Sequence, residues 1–381
     1  MKSITFKIQQ LSKFFSVILL LTVLVTSCSK SDSIVQNQEI AGNEAAPVST
    51  ARSLEQTAPA DAAKEANELQ LNNLLENSRD GGRNIVEIAS SNSNFSSLVA
   101  AVVKTGLAGA LSNESANLTV FAPTNVAFNQ LPAPFNNAQN ITGITNAGEI
   151  DFLRNVLLYH VLGAEVFSNQ VASGRSNAET IKPMGTDNDN TIYFSKTFGL
   201  IRINGRSTVI QPNINANNGV IHVINKVLIF PTSNIAQIAI ADPTNFSSLV
   251  AALVKTNLAG VFLGNGDFTV FAPTNAAFAK LPAPFNNAAN IGNITNQAEI
   301  DALANILKYH VTGSRYFNWD LGILSKIETL ASPASNKLTT ILGFNTGWVK
   351  GKGNNNFSQA NPGDILATNG VIHVIGDVLI P

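Results

Sequence analysis

The chain has 381 residues, only 13% of them charged, and 24 basic residues nearly balance 25 acidic ones, which gives a formal net charge of −1. Apart from three lysines near the N-terminus there is no basic cluster, so the electrostatic footprint of a nucleic-acid-binding protein is missing. Cys28 is the only cysteine. An intrachain disulfide is therefore excluded, and hydrophobic cores must stabilise whatever folds.

Residues 1–27 are typical of a secretory signal peptide. Lys2, Lys7 and Lys13 precede an apolar run at residues 14–25, which is shorter than the ~20 residues that a membrane-spanning helix needs. The run ends in VTSC, which resembles a bacterial lipobox. The resemblance implies cleavage before Cys28 and attachment of a diacylglycerol to its thiol. The alternative is a stray cysteine within a signal peptide.

Residues 28–83 are predicted to be a disordered tether. They are rich in Ser, Asn, Gln, Ala and Glu and have almost no aromatic residues, so they bring too little apolar surface to offset the entropy of ordering. Ser29 after the cysteine, rather than Asp, resembles the outer-membrane sorting pattern of diderm bacteria. We therefore expect a cell-envelope protein anchored by lipid at the outer membrane. The periplasmic and the external side of that membrane are both compatible with the sequence.

The rest of the chain is an internal duplication. Four segments recur 150 or 151 residues apart, almost without gaps, and a unit of this length is a domain's worth of chain. The sequence therefore predicts two tandem domains, at residues 84–231 and 232–381. The paired segments start at Phe95 and Phe246 (FSSLVAA), Thr119 and Thr269 (TVFAPTN), Leu131 and Leu281 (LPAPFNNA), and Asn218 and Asn369 (NGVIHVI).

The segment LTVFAPTNVAF predicts a strand, a sharp turn and the start of a helix. Residues 118–121 are β-branched or apolar and favour a buried strand. Pro123 cannot continue the strand pairing, and Thr124 and Asn125 are both good N-caps for a helix. The second copy, from Asp267, repeats this pattern.

Each domain has two histidines, and these four are the only ones in the chain. His160 and His310 each follow a tyrosine at the end of an apolar stripe with helical spacing. His222 and His373 lie within NGVIHVI, which predicts an interior strand after an Asn-Gly turn. Three interpretations compete: buried imidazoles that hydrogen-bond structural elements together, which is favoured, a two-histidine metal site, and a catalytic base.

No segment predicts catalysis. There is no G-x-S-x-G elbow and no phosphate-binding G-x-x-x-x-G-K-[ST] loop, and the one cysteine is assigned to the anchor. We therefore expect no enzyme activity, no catalytic residue, no metal and no cofactor. A hydrolase is the alternative that a histidine clustered with Ser or Asp in an open cleft would favour.

In this order and spacing, twice, TVFAPTNxAF, the Tyr-His helix end and NGVIHVI resemble the fasciclin (FAS1) domain family. The resemblance implies an α/β fold with a wedge of strands packed on several helices. It also implies adhesion to cells or matrix, and family-motif residues that are structural or adhesive. They fall on Tyr159, His160, His222, Tyr309, His310 and His373.

The resemblance also suggests where adhesion residues could lie. In animal relatives an Asp-Ile pair before the second motif and the Tyr-His region are implicated in integrin binding. Domain 2 has Asp364 and Ile365 in that place, whereas domain 1 lacks the acidic residue, and a structural turn at Asp364 is the favoured interpretation. Both tryptophans, Trp319 and Trp348, lie in domain 2 and are candidate interface anchors, with a core role as the default.

Together these features predict a lipid-anchored envelope protein whose two domains bind other cells or matrix without chemistry. Its partners would be the membrane through the lipid, and a matrix component, cell-surface protein or polysaccharide. The alternative is a periplasmic or surface lipoprotein that binds a soluble ligand or polysaccharide, for which an aromatic-lined pocket around Trp319 or Trp348 would be the sign.

Overall fold

The computed structural model describes residues 82–185, 189–333, 336–342 and 346–381. The predicted signal peptide, Cys28 and almost all of the predicted tether lie outside these residues. Residues Ser78–Pro381 form one compact unit, which contains both predicted domains. Where the chain is described, no helix combines the length and the apolar character needed to cross a membrane.

In the part of domain 1 that the structure describes there are six α-helices, of 4 to 12 residues, and seven strands. The first helix begins with a capping box, in which Asn84 and Glu87 each accept the backbone N–H of the other. The helices are α1 (Ile85–Ser91), α2 (Ser96–Lys104), α3 (Ala108–Leu111), α4 (Asn125–Phe128), α5 (Ala138–Thr142) and α6 (Ala147–Leu158). The strands are β1 (Leu118–Pro123), β2 (Val161–Leu162), β3 (Gly174–Glu179), β4 (Thr191–Thr197), β5 (Leu200–Ile203), β6 (Ser207–Ala216) and β7 (Gly219–Ile224).

Domain 2 repeats this order with small changes. Its first helix has the same capping box, with Gln237 in place of the glutamate. The helices are α7 (Ile235–Ala241), α8 (Pro243–Lys255), α9 (Asn275–Phe278), α10 (Ala288–Gly292) and α11 (Gln297–Tyr309). The strands are β8 (Phe268–Pro273), β9 (Val311–Thr312), β10 (Ile323–Glu328), β11 (Lys337–Leu342), β12 (Gly347–Lys350), β13 (Ser358–Ala360), β14 (Ile365–Ala367) and β15 (Gly370–Ile375).

Each domain is built on one mixed sheet. In domain 1 the strand order is β2-β1-β7-β6-β5-β4-β3, and β1 and β7 are parallel while every other pair is antiparallel. In domain 2 the order is β10-β11-β12-β13-β15-β8-β9, with β14 also paired to β15. The parallel pair there is β8 with β15. The predicted α/β fold of two tandem domains, each a strand wedge packed with helices, is confirmed.

The repeated TVFAPTN segment forms the corner that was predicted. Strand β1 ends at Pro123, and the Thr124 hydroxyl accepts the backbone N–H of Ala127 at 3.3 Å to cap α4. Thr274 caps α9 in the same way in domain 2. The following Phe128 and Phe278 are fully buried, so the corner anchors the sheet to the helical layer of each domain.

Two apolar clusters make the core of each domain, one on either side of the central parallel pair. In domain 1 the helix-side cluster contains Phe128 and Leu153, and the other contains Phe121 and Tyr159. In domain 2 the equivalent residues fall in the equivalent clusters. All six residues of β7 and of β15 are buried, as expected for an interior strand that carries a histidine.

Candidate interaction site

The helix-end histidines connect the long helix of each domain to the chain that follows the last strand. The Nδ1–H of His160 donates to the Val156 carbonyl at 2.7 Å, and Nε2 accepts the backbone N–H of Leu228 at 2.9 Å. His310 makes the same two bonds, at 2.8 Å each. Burial lowers the pKa of both imidazoles to about 4, so they are neutral at pH 7.

The strand histidines hold a second connection, between the last strand and two loops. His222 Nε2–H donates to the Val166 carbonyl at 2.9 Å, and its Nδ1 accepts the backbone N–H of Asn213 at 3.1 Å. In domain 2, His373 bonds the Tyr316 carbonyl at 2.8 Å and the Asp364 N–H at 3.3 Å. Burial lowers the pKa of both strand histidines.

The four histidines therefore use both ring nitrogens on backbone groups, and none is left to bind a metal or to act as a base. Within the described residues, no group of three or more His, Cys, Asp or Glu side chains could hold a metal ion. The inference that both domains use their histidines in the same way is confirmed by these matching bonds.

Asp364 has a counterpart in domain 1, Asn213, which matching the two sequence repeats did not identify. Asn213 and Asp364 both adopt left-handed backbone geometry, with φ of 64° and 57°. The side-chain oxygen of Asn213 accepts the backbone N–H of Ser168 at 2.8 Å, and that of Asp364 accepts the N–H of Asn318 at 2.7 Å. Each lies nine positions before its strand histidine, and this shared spacing is the signal that could have paired them.

The loop after the short second strand is fixed in the same way in both domains. The Thr119 hydroxyl donates to the Ala164 carbonyl and accepts the Val166 N–H, at 2.7 and 2.8 Å. Thr269 does the same for Ser314 and Tyr316. Residues 165–170 and 315–320 are thus held in equivalent positions, and we call them the loop face of each domain together with Asn213 or Asp364.

The loop face of domain 2 is covered by the sheet of domain 1, and we call this contact the seam. The Arg175 guanidinium lies 3.9 Å from the centre of the Tyr316 ring, and that of Arg202 lies 4.1 Å from the Trp319 ring. Each cation–π contact contributes about 0.5–2 kcal/mol, depending on its burial.

Aromatic and polar contacts complete the seam. The rings of Tyr193 and Phe317 lie 6.1 Å apart, and Arg206 donates to the Gly363 carbonyl at 2.8 Å. Gly205 lies so close to Phe317 and Asp364 that a Cβ atom there would overlap both side chains. The two domains therefore pack through specific contacts, which the short connection after residue 231 permits.

Three of the four candidate adhesion residues lie at or near the seam. Trp319 packs against Arg202, and Asp364 is 7% exposed behind residues 202–206 of domain 1. Ile365 begins β14 and packs against the core of domain 2. A direct adhesive contact by Asp364 stays a prediction, and it would require domain 1 to move away.

The fourth candidate, Trp348, lies on an open sheet surface. It projects from β12 and is 36% exposed, and its cross-strand neighbour Ile341 pairs in turn with Ile323, which is 79% exposed. Leu324 beside it adopts φ of 53° and is also exposed. We call these four residues the strip. Exposed apolar patches of this kind mark interaction surfaces.

An apolar cavity lies within the helical core of domain 2, and neither tryptophan lines it. It holds about 20 Å³ of space between residues such as Phe262, Leu307 and His310. This is about the room that one water molecule needs, so the cavity does not provide the aromatic ligand pocket that would favour a soluble-ligand function.

Comparisons with known proteins agree with the duplicated architecture. The family model of the fasciclin domain matches twice, at residues 93–230 and 244–381. Transforming growth factor-beta-induced protein ig-h3 of Sus scrofa is 29% identical over 70% of this chain and 35% of its own length. The chain thus spans about a third of the length of that relative.

Two further similarities are to a protein of Synechocystis and to a solved structure. The uncharacterized protein sll1735 of Synechocystis is 41% identical to this chain, over 39% of the chain and 97% of its own length. A solved domain pair from the insect cell adhesion molecule Fasciclin I covers 76% of this chain and 98% of its own, at 18% identity and a TM-score of 0.35.

Proposed function

Because the chain belongs to the fasciclin domain family, we propose that it is a lipid-anchored cell-envelope protein whose two domains attach the cell to matrix or to other cells. A protein with this domain is described as a cell adhesion molecule in insects. The partner would be a matrix component, a cell-surface protein or a polysaccharide.

The observation that carries the proposal is the strip on domain 2. Its isoleucine, leucine and tryptophan side chains offer apolar contact area on an open sheet surface, where a surface without a partner would be polar. The described histidines are neutral and committed to backbone bonds, which supports binding rather than chemistry.

Anchoring is a separate part of the proposal. We assign the lipid to Cys28 and the site of anchoring to the outer membrane, on the sequence pattern alone. A tether of the composition of residues 28–83 would give the domains a reach of tens of ångströms. Incorporation of labelled palmitate into the full chain, and its loss in Cys28→Ser, would test this part by itself.

Attachment of intact producing cells tests the adhesive part. Cells with the full chain are compared with cells whose protein keeps residues 1–83 but lacks both domains, on abiotic, matrix-coated and polysaccharide-coated surfaces. Antibody labelling of intact cells and of cells with a permeabilised outer membrane shows which face the domains occupy, and attachment is compared at equal labelling. Loss of attachment without the domains supports adhesion, and unchanged attachment on every surface contradicts it.

Point variants then locate the adhesive surface. Trp348→Arg should reduce attachment by most of the effect of removing both domains. Val254→Arg is the matched control, because Val254 is a 67% exposed apolar residue on helix α8 of the same domain, outside the strip. Equal attachment by the two variants would contradict a role for the strip.

A further inference from the structure

The strip occupies the sheet positions that domain 1 uses to build the seam. The register is fixed in both domains by the buried tyrosine, since Tyr159 donates to the Thr191 carbonyl and Tyr309 to the Lys337 carbonyl. Counting from these bonds, three cross-strand positions correspond between the domains. They are Arg175, Ser195 and Arg202 in domain 1, and Ile323, Ile341 and Trp348 in domain 2.

The chemistry of these positions differs with their surroundings. In domain 1 two of the three side chains are arginines that lie on aromatic rings of domain 2. In domain 2 all three are apolar, and none of the seam's contacts reaches them. Exposed apolar residues at a position that forms an interface elsewhere in the same chain point to a second interface there.

The other half of such an interface is also present. The loop face of domain 1 corresponds to the surface of domain 2 that the seam covers. Glu165, Asn169, Gln170 and Asn213 are exposed on it, and Val166 and Phe167 are half-buried. Among the described residues of one chain, the sheet face of domain 2 and the loop face of domain 1 are therefore both uncovered.

Placed against each other as in the seam, these two faces match. In this arrangement Ile323 would take the place of Arg175, and Val166 would take the place of Tyr316, which gives an apolar pair. The stack of Arg202 on Trp319 would be replaced by a stack of Trp348 on Asn169. The indole would then come from the sheet face, and the Asn169 amide would be its flat polar partner in place of a guanidinium.

The charges also correspond. Arg315 on the loop face of domain 2 is replaced by the exposed Glu165 in domain 1. The uncovered sheet face carries Lys350 and the exposed Lys352, so opposite charges would meet at its edge.

We propose that the strip of one molecule docks on the loop face of domain 1 of a second molecule, and so repeats the seam between chains. The contact is head to tail and joins unlike surfaces, so it can continue from molecule to molecule into a linear array. This inference rests on the proposed function in assigning the strip to binding, and it names a second copy of the chain as the occupant.

Cysteine crosslinking in cells that make the full chain tests the geometry. One tagged copy carries Asn169→Cys and a second, differently tagged copy carries Trp348→Cys, since the counterparts of these residues stack in the seam. A short bis-maleimide should give a mixed-tag dimer. Asn169→Cys with Val254→Cys is the matched control, and the two tagged chains without added cysteines control for Cys28.

Self-association in solution gives an independent measurement. For the full chain in detergent, sedimentation at increasing protein concentration should show dimers and longer species, and Trp348→Arg should weaken the association at least tenfold. Val103→Arg changes an apolar residue of helix α2 that is more exposed than Trp348, at 67% against 36%, and should leave the association unchanged. The helical signal in circular dichroism confirms that each variant is folded.

The outcomes separate this inference from the proposed function. A monomer at every concentration, with no mixed-tag dimer, overturns the head-to-tail contact, and adhesion stands if Trp348→Arg still reduces attachment to a coated surface. In that case a matrix component or polysaccharide occupies the strip. A mixed-tag dimer together with attachment that does not depend on the domains supports the contact and contradicts adhesion.

Discussion

Replacing Asp320 by Asn should stabilise domain 2 at neutral pH. The carboxylate lies in the seam, where it accepts the backbone N–H of Phe317 at 2.9 Å. Burial raises its pKa to about 6, although the Phe317 N–H, the nearby Ser195 hydroxyl and the Arg175 charge act to lower it. Domain 1 already has an amide at the matching position, Gln170, which accepts the Phe167 N–H.

The direction follows from proton linkage. The folded state holds this proton more tightly than the unfolded chain, whose Asp pKa is near 3.8. The contribution of Asp320 to stability is therefore largest below pH 3.8 and is lost as the pH rises through about 6. Each pKa unit corresponds to about 1.4 kcal/mol, so the charged form costs at most about 3 kcal/mol at pH 7. Because the side chain is partly exposed, solvent screening lowers the cost below this limit, and we expect a value of about 1–3 kcal/mol.

Urea unfolding of the full chain between pH 4 and 8 measures the effect. Both tryptophans lie in domain 2, so their fluorescence reports on this domain and its seam. The histidines oppose the trend, because their lowered pKa values make stability fall as the pH drops below 6.5. They are common to both proteins, so the difference between Asp320→Asn and the parent isolates Asp320.

The difference in unfolding free energy should be near zero at pH 4 and grow to about 1–3 kcal/mol in favour of Asp320→Asn by pH 7. Gln170→Glu is the matched control, because this side chain is exposed and a charge there stays hydrated. A variant whose stability follows the pH profile of the parent, or which is less stable at pH 7.5, would refute the assignment of a desolvated carboxylate in the seam.

Three further predictions concern the scaffold and the seam. His310→Ala leaves the Leu379 N–H and a helix carbonyl without partners and should lower the unfolding free energy by about 2–5 kcal/mol, visible as a lower Tm. Gly219→Ala should give little soluble protein when expression is measured, because its φ is 144° and a Cβ atom would overlap the backbone of β1. Arg202→Ala should expose the Trp319 indole. In a Trp348→Phe background, where Trp319 is the one remaining tryptophan, acrylamide should then quench the fluorescence at least twofold more efficiently with Arg202→Ala than without it.

Local sequence signals were sufficient to predict the scaffold. The Pro-Thr corner, the helix that ends at Tyr-His and the buried NGVIHVI strand each depend on neighbouring residues, and each is found where it was predicted. The duplication strengthened these predictions, because the same pattern had to serve twice. Lipidation at Cys28 stays a prediction from sequence alone.

The seam and the strip could not be predicted in the same way. Tyr193 and Arg202 of the seam, and Ile341 and Trp348 of the strip, lie in the two segments where the domains have least sequence in common, at residues 185–205 and 334–353. Which residues face each other there is set by hairpin registers, including a shift between Ile323 and Ser325 that the sequence does not mark. Trp319 and Trp348 were grouped as one aromatic set, although one lies in the seam and the other on the open sheet.

The comparison of equivalent positions gives the strip its meaning. A duplicated domain produces each surface twice, and a chain that uses one sheet face and one loop face internally must leave one of each uncovered. If the uncovered sheet face had no partner, solvation would favour polar side chains there, as on most open sheets. It carries Ile323, Ile341 and Trp348 instead, while the covered counterpart carries arginines. Residue chemistry therefore distinguishes two interfaces of related geometry, one closed within the chain and one available to a second molecule.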